Sequence, residues 1–272
     1  MARSRRKRLG QHFLTDRRVA SSVVGLLDDA PPRVLEIGPG HGALTGLLVE
    51  RFERVLALEM DERLLPVLSE RFAAEIRHGD ALRADFEPML ANEAPWQVAA
   101  NLPYSVGTAI LRRLLPLHGL VTRLVVMLQR EVAERIAARP GAKGHGLLAL
   151  ERAAHAEARV AFAVPPRAFR PRPRVVSAVV VLDLKKPAFE ADRLQRGLAL
   201  AAHALLTPRK MVSNAVRPLA DRAALEAAEI PPQVRPGDLP LEAWIRLTDS
   251  IAERGEAPSR GDGEPLISGV DV

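Results

Sequence analysis

Residues 101–104 read Asn-Leu-Pro-Tyr and follow an apolar run, Val98-Ala99-Ala100. An amide, a proline and an aromatic make neither a good turn nor a good core, so the chemistry they could carry is the first question. The N6 amine of adenine is a weak nucleophile because its lone pair is delocalised into the ring. Acceptors that draw both N–H bonds out of the ring plane restore its basicity, and Asn101 Oδ1 with the Leu102 carbonyl could be two such acceptors. Pro103 stiffens the turn and holds the preceding residue extended. Tyr104 offers a ring face to a base taken out of its stack. No strong general base is required, since the proton is acidic once the nitrogen has become cationic. An Asx turn followed by a core tyrosine is the bland alternative.

A second set of residues stands earlier. VLEIGPGHGALT (34–45) holds Gly38, Gly40 and Gly42 between a β-like run and a helix-like one. Glycine tolerates positive φ and lets a ligand approach the backbone where a side chain would collide, while a helix N-terminus offers free N–H groups. Nineteen positions after Gly40 stands Glu59, whose carboxylate can accept both hydroxyls of a ribose. A tight turn beside a solvated acid would read the same way, and a dinucleotide could use the same geometry. Two details favour S-adenosylmethionine: the spacing is G-x-G-x-G, and Glu36 precedes the glycines, where it can orient the loop or face a methionine ammonium. Asp80 in GDAL (79–82) is a third, placed to accept from adenine's exocyclic amine; alone it is a helix cap as often as a ligand.

These residues need strand ends that converge. RVLEI (33–37), RVLALE (54–59), EIRHGDAL (75–82), WQVAANLPY (96–104) and RLVVMLQ (123–129) contain β-like runs, and helix-like segments such as ALTGLLVERF, MDERLLPVLSERF and TAILRRLLPL lie between them. The alternation implies right-handed crossovers and a mainly parallel sheet covered on both faces: an α/β, doubly wound, Rossmann-like domain. Two later runs, ARVAFAV (158–164) and VVSAVVVLDL (175–184), are joined by PPRAFRPRPR, too proline-laden for a helix. They read as an antiparallel pair completing the sheet, with the linker projecting at its edge. Phe169, isolated in that linker with no evident core to enter, becomes a candidate to stack on a base; plugging the sheet edge is its alternative. After Lys185-Lys186-Pro187 the apolar spacing is helical, which predicts a catalytic domain over 1–186, a small all-helical domain over 187–255 and a disordered tail over 256–272.

The 272 residues are 47% hydrophobic, enough for one main domain with an appendage. The absence of cysteine excludes disulfide frameworks, thiolate zinc sites and cysteine nucleophiles, and suits a cytoplasmic protein. None of the seven histidines has metal-type spacing, so no metal is expected. The basic N-terminus lacks the apolar segment of a signal peptide, and no apolar run reaches the roughly 18 residues of a membrane span. Net charge is +6, although the last 22 residues carry five acids and two arginines. A basic body suits a polyanionic partner. The basic residues fall into three groups: Arg3, Arg5, Arg6, Lys7 and Arg8 in an N-terminal arm; Arg167, Arg170, Arg172 and Arg174 around Phe169; and Arg209 with Lys210 in the helical region. Each alone reads as solvated surface; three flanking one pocket would make an RNA track that holds phosphates for position.

Over about residues 8–250 the chain resembles the ribosomal RNA adenine N6-dimethyltransferases, specifically the bacterial small-subunit enzymes. The segments that carry this are GQHFLTD (10–16), VLEIGPGHGALT (34–45), LE (58–59), GDAL (79–82), NLPY (101–104), MLQREVAERIAARPGAKGHGLL (127–148) and VPPRAFRPRPRVVSAVVVL (164–182). The resemblance implies S-adenosylmethionine-dependent dimethylation of two adjacent adenosines in 16S rRNA, in a small ribosomal subunit or its precursor, with a part in 30S biogenesis. It implies that His12 and Leu14 belong to a segment closing over the cofactor, that Gly38, Glu59, Asp80 and Asn101 line the cofactor site, and that Asn101 and Leu102 receive the target amine. It also implies that Tyr104 and Phe169 sandwich the flipped adenine. His12 stands where many relatives have Asn, Ser105 where Asn is frequent, and ALLTPRKMVSNAV (204–216) is less basic than usual and contains Pro208. A monomer is expected. The competing readings are an rRNA-binding assembly factor in which catalysis is secondary, a large-subunit rRNA methyltransferase, and a nucleotide-dependent oxidoreductase, which leaves NLPY and Phe169 unexplained.

Overall fold

The structure is a computed structural model and describes residues 12–217 and 219–254. The basic arm with Arg5, Arg6, Lys7 and Arg8, and the tail expected over 256–272, lie outside the described residues. The chain divides into two compact units after Ala188.

In the first unit the elements run β1 (Phe13–Leu14), α1 (Arg17–Val24), β2 (Arg33–Ile37), α2 (Thr45–Arg51), β3 (Arg54–Glu59), α3 (Leu65–Arg71), β4 (Glu75–His78), α4 (Phe86–Leu90), β5 (Trp96–Asn101), α5 (Gly107–Leu114), β6 (Val121–Gln129), α6 (Arg130–Ile136), α7 (Leu147–His155), β7 (Ala156–Val164), β8 (Phe169–Arg170) and β9 (Ser177–Leu184). Seven strands form one sheet in the order β4-β3-β2-β5-β6-β9-β7. Pairings from β4 through β6 are parallel, and β9 runs antiparallel to both of its neighbours. This is the doubly wound α/β sheet that the alternation predicts, closed by the antiparallel pair. The chain steps outward from β2 to β3 and β4, then returns to place β5 on the other side of β2. That reversal leaves a crevice outside the carboxyl ends of β2 and β5, where open α/β sheets bind ligands. Register sets Glu36 beside Ala99 and Ile37 beside Ala100, so the glycine turn and Asn101 leave the sheet side by side.

Alternation along the buried strands feeds two cores. Leu35, Ile37, Leu56, Leu58, Val98 and Ala100 belong to one, while Val34, Val55, Ala99 and Val125 belong to the other. Burial on both faces is why these strands read as nearly unbroken apolar runs. At the amino ends of the strands, Arg54 pairs with Glu75 at 2.5 Å and with Glu93 at 3.0 Å. There too the buried Gln97 accepts from the Asp28 amide and donates to the Asp28 and Pro31 carbonyls, pinning the segment that enters β2.

The linker after β7 departs from expectation. It does not project: residues 166–168 make a short 3-10 turn, and β8 pairs antiparallel with β1, Phe13 opposite Arg170 and Leu14 opposite Phe169. Phe169 is 0% exposed and sits in the core with Leu14, Val164 and Val179. The missing core is supplied by a strand more than 150 residues away in sequence. Asp16 then caps α1 by accepting from the Arg18 and Val19 amides, and α1 buries Ala20, Val23 and Val24.

In the second unit the described residues form α8 (Ala191–Leu205), α9 (Val212–Ala215), α10 (Arg222–Ala227) and α11 (Leu241–Glu253). At Gly197 in α8 an added Cβ would lie 2.8 Å from Ile245 Cγ1, so the absence of a side chain permits close packing against α11. Trp244, fully buried, fills the core of this unit.

Candidate active site

Glu36, the fourth residue of β2, is 1% exposed and lines a cleft with Phe13, Leu14, Gly38, Pro39, His41, Ala43, Leu44 and Asn101. Burial pushes its carboxyl up to about 8; a hydrogen bond from the Thr45 hydroxyl at 2.7 Å opposes the shift, and the nearby Glu59 charge adds to it. A buried acid held only by Thr45 is disposed to receive a cationic group.

The turn after β2 needs its glycines for different reasons. Gly38, Gly40 and Gly42 have φ of +68°, +59° and +83°. A Cβ on Gly40 would meet the Phe13 ring at 2.8 Å, and one on Gly42 would meet the Phe72 ring at 2.2 Å. Around Gly38 there is open space, so this is the position at which a ligand can approach the backbone. Glu59, at the end of β3, braces the turn: Oε2 accepts from the Gly40 amide at 2.9 Å and Oε1 from the Asp61 amide at 2.8 Å. A carboxylate has about four lone-pair sites, so two remain for other donors.

These residues fit S-adenosylmethionine. The glycine turn leaves Gly38 open, Glu36 offers a carboxyl to an ammonium, and Glu59 keeps acceptor capacity for ribose hydroxyls. The cleft itself is narrow, about 20 Å³, room for little more than one water. Phe13 and His41 both line it, their ring centroids 4.3 Å apart.

Asn101 ends β5 and faces the same cleft. Its Nδ2 donates to the His12 carbonyl at 2.9 Å, which leaves Oδ1 as the acceptor turned to other partners. Leu102 is buried and its amide donates to the Met127 carbonyl at 3.2 Å; its own carbonyl receives no hydrogen bond among the described residues. The Tyr104 and Ser177 hydroxyls are 2.5 Å apart, and burial raises the Tyr104 phenol above its ordinary value while that bond opposes the rise. The His12 ring lies 5.4 Å from the Tyr104 ring, tilted by 33°.

The structure therefore gathers Leu14, Glu36, Gly38 and Asn101 around one cleft and sets His12 and Tyr104 beside it. Gly40 and Glu59 shape the turn. Asp80 lies two residues beyond β4, where its carboxylate accepts from the Leu82 amide at 2.9 Å, the behaviour of a turn-capping residue. Phe169, paired beside Leu14 of β1, is fully buried in this structure. Arg167, Arg170, Arg172 and Arg174 are exposed and take part in no ion pair among the described residues. Arg209 and Lys210, also exposed, belong to the second unit. Sequence reasoning missed Phe13, His41, Thr45 and Ser177. Phe13 is adjacent to His12 in GQHF and Thr45 closes VLEIGPGHGALT; nothing local marks Ser177, which reaches Tyr104 through the pairing of β9 with β6.

Among the described residues no group of His, Cys, Asp or Glu could hold a metal, and no helix is long and apolar enough to cross a membrane. The family model described as ribosomal RNA adenine dimethylase matches residues 2–253. A protein from Ruegeria pomeroyi named ribosomal RNA small subunit methyltransferase A is 45% identical over 264 residues, covering 92% of this chain and 93% of that one. One of the same name from Geobacter metallireducens is 41% identical over 220 residues, 78% and 80% of the two chains. Among solved structures, the 23S rRNA methyltransferase ErmE superposes with a TM-score of 0.69 at 25% identity over 88% of this chain and 99% of that one. A dimethyladenosine transferase from Plasmodium falciparum shares the fold, with a TM-score of 0.71 at 21% identity over 90% and 98%. With its glycine cleft and its strand-end asparagine set at one switch point, the chain belongs to the ribosomal RNA adenine dimethylase family.

Proposed function

We propose that this protein uses S-adenosylmethionine to dimethylate the N6 amine of two adjacent adenosines in 16S rRNA of a small ribosomal subunit or its precursor, acting as a monomer in the cytoplasm. The observation that carries the reading is the position of Asn101, on the cleft of the glycine turn with its amide oriented by the His12 carbonyl. Glu36, Gly38, Glu59 and Asp80 hold the cofactor, with Glu36 toward the ammonium and Glu59 toward the ribose. When bound, S-adenosylmethionine supplies a methyl group activated by its sulfonium.

The chain's own residues do the rest. Asn101 Oδ1 and the Leu102 carbonyl accept the two N–H bonds of the target amine, turning its lone pair out of conjugation; orientation and these acceptors supply the catalysis. Tyr104, tethered by Ser177, offers its ring face to the extruded base. Arg167, Arg170 and Arg172 bind phosphates beside the first unit's site, and Arg5, Arg6, Lys7, Arg8, Arg209 and Lys210 extend the RNA contacts. Two details support small-subunit RNA over large: the curated relatives at 45% and 41% identity carry the small-subunit name, whereas the large-subunit structure is 25% identical. Mass spectrometry of 16S rRNA from cells with and without the gene tests the reading; unchanged dimethyladenosine on deletion would refute it.

A further inference from the structure

Tyr104 is the single tyrosine of the chain and stands in the turn between β5 and α5, where the Pro103 carbonyl accepts from the Val106 and Gly107 amides. Its hydroxyl does not stay over β5. It meets the Ser177 hydroxyl at 2.5 Å, and Ser177 opens β9, which lies beyond β6 in the order β5-β6-β9. The phenol therefore reaches from the end of β5 past the end of β6. We propose that Ser177 is a positioning residue for the target base: through this one bond it ties the Tyr104 ring to the sheet, so that the wall on which the adenine stacks is held at a set place on the rim.

Three features support this. Ser177 itself has little freedom: it is 0% exposed and paired with Gln129 of β6 on one side and Val164 of β7 on the other. The residue before it is held as well, the Val176 carbonyl accepting from the Arg130 amide at 3.0 Å. Ser177 is also a polar exception in its strand, followed by the buried apolar run Ala178 to Leu182. A buried hydroxyl destabilises the fold unless it is hydrogen-bonded, and the partner of this one is the Tyr104 phenol. Finally, the tether acts at the far end of the ring. A tyrosine side chain moves about two torsions, and binding its hydroxyl blocks the swing about χ1 that would carry the ring away, leaving only rotation about its long axis.

A ring already in place gives up less rotamer freedom when a base arrives, so the tether lowers the cost of gripping the substrate. Burial raises the Tyr104 phenol above its ordinary value, which keeps the hydroxyl protonated and able to share a proton with Ser177. The assignment rests on the proposed methyltransferase reading, in which Tyr104 stacks on the extruded base, and adds to it the residue that sets where Tyr104 stands.

The test compares wild type with Ser177→Ala, Tyr104→Phe and the double variant on an unmethylated small-subunit RNA, at a temperature where melts show the proteins folded. It measures methylation kinetics, S-adenosylmethionine affinity by calorimetry, and the fluorescence of 2-aminopurine placed at the target position. Because the chain has one tyrosine, labelling with 3-fluorotyrosine also yields a single fluorine resonance that reports on this ring. Each single variant is expected to lower kcat/KM by roughly 2- to 13-fold, the worth of one neutral hydrogen bond, with cofactor affinity unchanged and the 2-aminopurine brighter than in the wild-type complex. The double variant loses no more than the worse single one, since both remove the same bond, and the fluorine resonance moves in Ser177→Ala. Additive losses, a loss confined to cofactor affinity, an unmoved resonance, or unchanged rate and quenching would overturn the proposal. Tyr104→Phe breaks the bond from outside the core and decides the matter alone if Ser177→Ala does not fold. Absence of methylation by the wild-type protein would instead bring down the functional reading, and the proposal with it.

Discussion

The side-chain amide of Asn101 is held by the main-chain carbonyl of His12 at 2.9 Å, across 89 residues of sequence. Because Nδ2 is occupied, the oxygen is committed to the cleft, the orientation a target amine needs. Asn101→Ala removes the acceptor without disturbing the glycine turn. The expected outcome is near wild-type cofactor affinity with turnover reduced by roughly 100- to 1,000-fold, the usual cost of one missing transition-state hydrogen bond. Wild-type-like methylation by that variant would end the proposed role of Asn101.

Glu36 makes the site sensitive to pH. Its carboxyl titrates near 8 in the folded protein against an ordinary 4.5, so the folded chain binds the extra proton and stability declines as pH rises from about 4.5 to about 8, levelling beyond. Glu36→Gln flattens that decline, which urea unfolding at several pH values measures. A cationic ligand favours the carboxylate, so cofactor affinity should strengthen toward pH 8 with release of a proton. Calorimetry in two buffers of different ionisation enthalpy reads that proton directly; identical heats in both would contradict the expectation.

Phe169 is fully buried in the core with Leu14 and Val179. Phe169→Ala should cost roughly 3–5 kcal/mol of stability, the range for emptying an aromatic site in a core. Phe169→Leu, which keeps most of the volume, should retain more than half of the methylation rate. A well-folded Phe169→Leu protein without activity would show that the aromatic ring itself is needed, as base stacking requires.

Gly42 is doubly constrained, by a φ of +83° and by Phe72 Cε2 2.2 Å from where a Cβ would lie. Gly42→Ala should lose more stability than the roughly 1–2 kcal/mol of left-handed strain alone. In the Phe72→Ala background the same substitution should cost only that strain. Thermal melts of the four proteins complete the cycle, and strict additivity would remove the clash from the explanation.

What the sequence made legible is what depends on local pattern. Four of the five parallel strands are readable because each is buried on both faces, β4 being partly exposed, and the glycine turn because three positive-φ residues leave a fixed spacing between a strand and a helix. The β1–β8 ladder was not readable: two residue pairs joining Phe13 and Leu14 to Arg170 and Phe169 carry no periodicity of their own. That one non-local contact supplies Phe169 with a core. Ser177 was hidden for a related reason, since its value lies in strand register and not in its neighbours. Glu59 was recognised as a site residue, but its bracing of the Gly40 amide became visible only in three dimensions.

The pairing of Arg54 with Glu75 and Glu93 lies at the amino ends of the strands, while the cleft lies at their carboxyl ends. A six-residue strand separates the two rims by roughly 20 Å. A dye or surface tether coupled near Glu93 would therefore sit a sheet's length from the cleft, giving single-molecule work a handle apart from the glycine turn and Asn101.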